Sequence, residues 1–394
     1  MCRPKKRGAY EGASLVCSCG ESAKFVDWRP KNFVSLLGDV RLDRTYYYCS
    51  ACGASQLPWD EKIGLTTRHI TPGAAELATM AGTLCSFPLA AERALPRMSG
   101  IQLSESTVQR VTEDAGQRLG EKLEAKATFG PDESWKWQRD ADGRRCAYLS
   151  IDHTGVPQQA EDGGKAEGRM AAVAMVFNAR SEFEEQPPKD PHQVRYLAGF
   201  HDLDELGLQW RRQAAQVGWD EAEQQLALTD GAPCLENFIR KNAPLAKCIL
   251  DFYHASEHVA ELVRSLHPRD EEEFKKLQGS WCHQLKHKGG AALLATWQAL
   301  DQSTWNDAQR ECYRLQEQYV QNNVHRTDYP TYLAHGWMIG SGSVEAACKL
   351  VIGQRLKGTG MRWREPGSDS VCHLRALLLG QPGQWEAFWQ TAAA

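Results

Sequence analysis

Two short apolar runs each end in an aspartate followed by turn-forming residues: Leu149-Ser-Ile-Asp152-His-Thr-Gly and Leu226-Ala-Leu-Thr-Asp230-Gly. Runs of this length between turn signals read as strands. In α/β sheets, ligands bind at the carboxyl ends of strands. An aspartate there sits on a rigid element with its oxygens pointing out of the sheet. Two such carboxylates repel one another, and a divalent cation that takes oxygen ligands removes the conflict. A third carboxylate, Glu345, stands in the first turn of a helix predicted after Ile339-Gly-Ser-Gly-Ser343. Taken alone, it is an ordinary helix-start charge with Lys349 one turn on, worth roughly 0.3–0.5 kcal/mol. Set in the order Asp152, Asp230, Glu345 on strand, strand and helix, it completes a candidate Mg²⁺ or Mn²⁺ site. The helix carries Val344, Cys348 and Val351 on the stripe expected to face the core.

A second constellation uses soft ligands. Cys49-x-x-Cys52-Gly53 has the spacing of half a zinc ribbon, with a glycine that allows the knuckle to turn. Cys17-x-Cys19 is tighter than the usual two to four residues between ligands. Together the four predict a structural Zn²⁺ site; the alternative is four free thiols. Nine of the thirteen cysteines are scattered singly and read as reduced, buried small hydrophobes. Lys349, Arg355, Lys357, Arg362 and Arg364 form a basic stretch beyond Glu345, suited to phosphates. Trp363 within it either stacks on an unpaired base or fills a core position.

The elements that must position these groups follow from periodicity. Phe33 to Leu42 reads as two strand-like runs around Gly38-Asp39, inside a zinc-ribbon-like segment 1–65. Residues 66–127 read as helical. Ala74–Cys85 and Pro88–Met98 are two helices, Ser99-Gly100 is a turn, and a third helix is capped by Ser104. That outline is helix-turn-helix-like, with Thr107, Gln109 and Arg110 available to a DNA groove; a plain helical bundle is the alternative. Residues 123–144 are polar and read as a linker. From Arg145, strands at 146–151, 170–177, 196–200, 225–229 and 246–250 alternate with helices at 203–217 and 235–241. That pattern implies a sheet with parallel members. Residues 256–335 form a helical insertion. The α/β part therefore runs over 140–255 and resumes over 336–394.

At 394 residues with 42% apolar content and a mean hydropathy of −0.52, the chain can bury a large core and has no run of membrane length. A net charge of −4 excludes a uniformly basic nucleic-acid coat but not local patches. The basic start, Arg3 to Arg7, is followed by no apolar segment, which predicts a cytoplasmic protein.

The stretches SIDHTGVP, LTDGA, ILDFYHASEH and IGSGSVEAACKLVIGQRLKGTGMRW resemble the DDE transposases of bacterial insertion sequences. They are most similar to the ISKra-type family within the Mutator-like group, and the resemblance spans nearly the whole chain. It implies an RNase H-like catalytic domain interrupted by an all-helical insertion. It also implies Asp152, Asp230 and Glu345 as ligands of two Mg²⁺ about 4 Å apart that cut and rejoin phosphodiesters. Asp251-x-x-His254 matches the group's signature near the active site. The implied partners are transposon ends, target DNA and further copies of the chain, bound at the nucleoid. Family members carry more sequence ahead of the cysteine region, so an additional N-terminal part is expected.

Two other readings compete. His254-Ala-Ser-Glu257-His258 fits the H-x-x-E-H pattern of a zinc peptidase helix, and His283 and His287 repeat the histidine spacing without the glutamate. A non-catalytic DNA-binding regulator would need only the cysteine segment and the helix-turn-helix.

Overall fold

The computed structural model describes residues 7–65, 69–160, 167–179 and 193–393; Arg3, Lys5 and Lys6 lie outside them. The protein is mixed α/β with a helical portion. It divides into one unit of Met1–Arg118 with Glu386–Ala394 and a second of Leu119–Trp385.

In the first unit, β1 (Ser14–Val16), β2 (Ser22–Ser35), β3 (Gly38–Tyr48) and β4 (Ser55–Gln56) form an antiparallel sheet in chain order. β2 and β3 are far longer than the hydrophobic pattern around Gly38 suggests. Between Asp27 and Asp43 they pair chiefly with each other. The helical part begins with Pro72–Leu84. A composite helix follows, made of Phe87–Leu89, a π-helical turn Ala90–Ala94, and Leu95–Met98. The helix Glu105–Glu124 is capped by Ser104, whose hydroxyl accepts from the Thr107 amide at 3.2 Å. Alanines and Gly82 allow close helix packing. A methyl at Gly82 would come within 2.3 Å of Thr112 Oγ1.

In the second unit, β5 (Cys146–Gln158), β6 (Glu167–Phe177), β7 (Val194–Gly199), β8 (Gln224–Thr229) and β9 (Lys247–Leu250) form one sheet in the order β7-β6-β5-β8-β9. β5, β6 and β7 are antiparallel neighbours, while β8 and β9 run parallel to β5. β6 is buried from Ala171 to Phe177, as a central strand covered on both faces must be. The helices Leu203–Gln216 and Pro233–Asn242 contribute Leu206, Trp210, Leu235 and Phe238 to a core shared with Leu149, Ile151 and Ala227.

Two expectations are corrected here. Residues 123–144 are not a free linker: Trp135 and Trp137 are buried in that core, and Trp137 donates to the Gly218 carbonyl at 2.9 Å. Aromatic burial outweighs the polar composition around it. Nor does the strand end at Asp152. β5 runs on to Gln158, because its antiparallel ladder with β6 continues (Asp152 opposite Val173) after its parallel ladder with β8 stops at Ser150 and Leu228.

The helical portion holds Phe252–Leu266, Glu271–Gln298, Asp307–Asn323 and Tyr329–Ala334. It starts four residues before the expected Ser256, because Asp251 caps the first helix. Glu271–Gln298 bends at Gly289, whose φ of 80° no helical residue shares.

Candidate functional site

Register brings the two aspartates together. Ser150 pairs with Leu228 on parallel neighbours. Asp152 and Asp230 each lie two residues beyond that last pair, near enough for the Asp230 charge to act on Asp152. Asp230 leaves the sheet in a turn: its Oδ1 accepts from the Ala232 amide at 2.9 Å. Gly231 follows at φ 101°, where an added methyl would meet Tyr319 Oη at 2.7 Å. Tyr319 donates to the Asp230 carbonyl at 2.8 Å. Arg326 donates to Thr229 Oγ1 at 3.1 Å and to the Gly231 carbonyl at 3.0 Å. Both come from the helical portion, so that portion braces the aspartate turn. No spacing signal in the sequence marks them.

Asp152 is half-buried. Burial pushes its carboxyl above the usual range and the nearby Asp230 charge adds to this, against the His153 amide, which donates to Oδ1 at 2.6 Å. Its other oxygen lies 3.9 Å from Cys348 Sγ. Burial, with Asp152 beside it, pushes the Cys348 thiol up to about 12.

Glu345 sits in the first turn of the helix Gly342–Ala347, which packs on β5 and β6. Val344, Ala347, Cys348 and Val351 are buried, while Glu345 and Lys349 are exposed. Glu345 stands one turn before Cys348, and its charge, like that of Asp152, acts on the Cys348 thiol. The helix continues as a π-helical turn, Cys348–Gly353. The buried Arg375 donates to the Val351 carbonyl at 2.6 Å there.

Asp251 ties these elements together. It is fully buried. Oδ1 accepts from the His254 amide at 2.6 Å, and Oδ2 accepts from the Ser341 amide in the turn that opens the Glu345 helix. Its own amide donates to the Thr229 carbonyl at 2.8 Å, one residue before Asp230. Phe252 N–H donates to Ile339 O at 2.8 Å, a second link to the same turn. Asp251 thus joins the end of β8 through its backbone amide, and the start of the helical portion and the base of the Glu345 helix through its carboxylate. His254 is partly exposed, 3.4 Å from Glu257, and its charge favours ionised Asp152.

Among the described residues, two groups of three or more His, Cys, Asp or Glu bring their ligand atoms within 4.8 Å of one another: Cys17, Cys19, Cys49 and Cys52, and Asp140, Asp142 and His335. The acidic triad does not close to that distance. The second group carried no sequence signal, because Asp140 and Asp142 fall in the stretch read as a linker and His335 at the end of the helical insertion. It already contains a cation: Arg144 pairs with Asp140 at 2.9 Å and with Asp142 at 2.7 Å.

The cysteine cluster is built from two similar knuckles. The Gly20 amide donates to Cys17 O and the Gly53 amide to Cys49 O, each at 2.9 Å, with φ of 90° and 77°. The tight Cys17-x-Cys19 spacing is thus accommodated by a positive-φ glycine, as on the other side. Cys17 and Cys52 sulfurs lie 3.5 Å apart and Cys19 and Cys49 sulfurs 3.7 Å apart. A tetrahedral Zn–S₄ centre with bonds of about 2.3 Å needs sulfur separations of about 3.8 Å. The Cys19 amide and the neighbouring sulfurs lower Cys17 to about 6. Cys52 receives the Ala54 amide yet is raised to about 12 by the sulfurs around it. Four sulfurs this close cannot all ionise without a cation, and the cluster could hold a zinc ion.

Other expected contacts disperse. Lys357 is exposed and donates to Thr154 Oγ1 at 2.5 Å, two residues from Asp152; Lys349 and Arg362 are also exposed. Arg355 and Trp363 are corrected. Arg355 is 2% exposed with its guanidinium 5.0 Å from the Trp363 ring. Trp363 is buried, donates to the Leu356 carbonyl at 3.0 Å, and bonds through its backbone to Pro157 and Gln159 beside β5. The indole closes the turn after the Glu345 helix and takes the core position that was the alternative to base stacking. Arg110 is exposed, but Gln109 is held by Glu113 at 2.9 Å and Thr107 Oγ1 by Ser104 at 2.7 Å.

For the peptidase motif, His254 and His258 rings stand 5.2 Å apart. His258, however, stacks on Tyr319 at 3.5 Å and bonds Gln316 at 2.6 Å. No third ligand joins them among the described residues. His283 and His287 sit side by side with ring centroids 4.4 Å apart, likewise without one. No helix is long and apolar enough to cross a membrane among the described residues. No known family model matches the chain, and no curated protein matches it either.

Proposed function

We propose that this chain is a DDE-type DNA transposase that cleaves transposon ends and joins them to target DNA, with Asp152, Asp230 and Glu345 as its reaction centre. The observation that carries this reading is that Asp152 and Asp230 lie just beyond the last β5–β8 pair, close enough to act on each other, with the Glu345 helix tied to them through Cys348 and Asp251. A five-stranded mixed sheet with the acid-bearing strands next to each other, and a helical block between Asp230 and Glu345, supports an RNase H-like core.

The donor set fits hard divalent cations: three carboxylates, one held above its normal range by burial and a like charge. Mg²⁺ or Mn²⁺ bound there would supply Lewis acidity and an activated water or 3′-hydroxyl. Asp152 and Asp230 would hold the cations from the rigid sheet, and Glu345 would complete the set from its helix. Lys357 and Lys349 would neutralise phosphates at the rim, and Asp251 would keep Glu345 in register with Asp230. Zn²⁺ in the cysteine cluster would be structural, holding the two knuckles together.

The test incubates purified protein with duplexes carrying the element's terminal repeats and Mg²⁺ or Mn²⁺. Wild type nicks at the element boundary. Asp152→Ala, Asp230→Ala and Glu345→Ala lose at least about 10³-fold in rate, as removal of several kcal/mol of charge stabilisation requires. Equal nicking by all four proteins would end the assignment.

A further inference from the structure

A cluster of basic groups with no role assigned above lies on the β2–β3 ribbon. Arg29 and Arg44 are cross-strand partners, so two like charges sit directly opposite, an arrangement that costs stability unless something offsets it. Lys31 is two residues beyond Arg29 and therefore on the same face. His69 is drawn alongside, because its carbonyl accepts from the Val34 amide at 2.9 Å and Ile70 bridges to Val34. Lys31 and Arg44 both disfavour the charged form of His69 after burial does, and Arg44 does the same to Lys31. The four basic groups therefore converge.

The carboxylates beside them are too few. Asp27 pairs with Arg29 at 3.3 Å, and Asp60 pairs with Arg44. Among the described residues, Lys31 and His69 have no acidic partner. Arg44 is 8% exposed, and its Nε is buried without a hydrogen-bond acceptor. Arg29 is exposed and held flat, its guanidinium 3.3 Å from the Tyr46 ring centroid. The arrangement is a fixed row of cations over a buried one.

We infer that this face of the β2–β3 ribbon is a binding site for the phosphate backbone of duplex DNA, formed by Arg29, Lys31 and His69 over Arg44. Residues two apart on a strand stand about 6.6–6.8 Å from each other, which lays the charges out in a line as a phosphate chain is. A two-stranded ribbon is also one of the two elements that fit a major groove. Backbone contacts of this kind fix register on the duplex and carry no sequence information. The inference rests on the DNA reading above but not on the acidic triad.

The test measures binding of the full chain to a 20-base-pair duplex of arbitrary sequence by fluorescence anisotropy, without added Mg²⁺, across a salt series. Arg29→Gln and Lys31→Gln each reduce the slope of log K against log salt by about 0.9, and the double variant by about 1.8. Lys31→Arg restores the wild-type slope. Arg44 is left intact, since its burial against Asp60 makes it a folding residue; zinc content and thermal melting confirm that the variants are folded. Slopes unchanged by Arg29→Gln and Lys31→Gln would overturn the inference, as would weakened binding of a polyglutamate probe with DNA binding intact. A chain that binds DNA through this face but nicks nothing sinks only the transposase reading. One that nicks with an indifferent salt slope sinks only this site.

Discussion

The cysteine cluster and the acidic site are both candidate metal centres, and the fold makes them in opposite ways. The four sulfurs come from two knuckles joined by one hairpin, and their ligand atoms already lie within 4.8 Å of one another. The three carboxylates come from a strand interior, a strand end and a helix start separated by a helical block. They do not close to that distance. A structural centre completes its ligand set from protein alone, whereas a catalytic one leaves room for water and substrate. The closed cluster therefore has everything it needs nearby, and the open one depends on distant braces: Tyr319 and Arg326 on the Asp230 turn, Asp251 beneath Glu345.

Zinc removal breaks the comparison most strongly. Structural zinc contributes an apparent binding free energy of about 10–16 kcal/mol in small metal-dependent folds. Cys49→Ser should drop bound zinc from one per chain to near zero by atomic emission and unfold the β1–β4 sheet. Asp152→Ala should leave zinc stoichiometry untouched. If Cys49→Ser keeps full zinc and an unchanged melt, the cluster is not a metal centre.

Asp251 sharpens the other half. Asp251→Ala orphans the buried Ser341 amide and the partly buried His254 amide, at roughly 1–3 kcal/mol each. Urea denaturation should show about 2–5 kcal/mol of lost stability. Asp251→Asn keeps one acceptor and sets an NH₂ against the second amide, so it should lose nicking rate more than stability while DNA binding persists. An Asn variant that nicks normally would remove Asp251 as the brace of Glu345.

The smallest effect is set by pH in the unit that holds the acidic site. Burial lowers His201 to about 4, and His373 nearby adds to this. The unfolded chain takes up the His201 proton near 6.5 and the folded chain only near 4. Stability is therefore lost as pH falls through that window, by up to about 3 kcal/mol at its foot. His201→Gln should flatten the dependence of the denaturation midpoint between pH 6.5 and 4. A wild-type midpoint that stays level there would show that His201 protonates without cost.

Some of this was legible in the chain itself. Cys49-x-x-Cys52-Gly and the strand-like runs around Gly38 are local, so type and spacing sufficed. Asp152, Asp230 and Glu345 could be singled out because turn residues follow each aspartate and a Gly-Ser turn precedes the glutamate. Trp135, Trp137, Trp363 and Arg355 could not be placed, because neighbours far along the chain decide whether an aromatic or a guanidinium is buried. The sequence alone thus determined the ligand types, the Cys49–Cys52 knuckle and the alternation of strands and helices beyond Arg145, all consequences of local backbone preference and hydrophobic period. Tertiary structure alone decided that Asp152 lies mid-strand yet beside Asp230, that Asp251 underpins Glu345, and that four basic groups meet on one ribbon. Strand register and long-range burial set those distances, and no short stretch of residues encodes them.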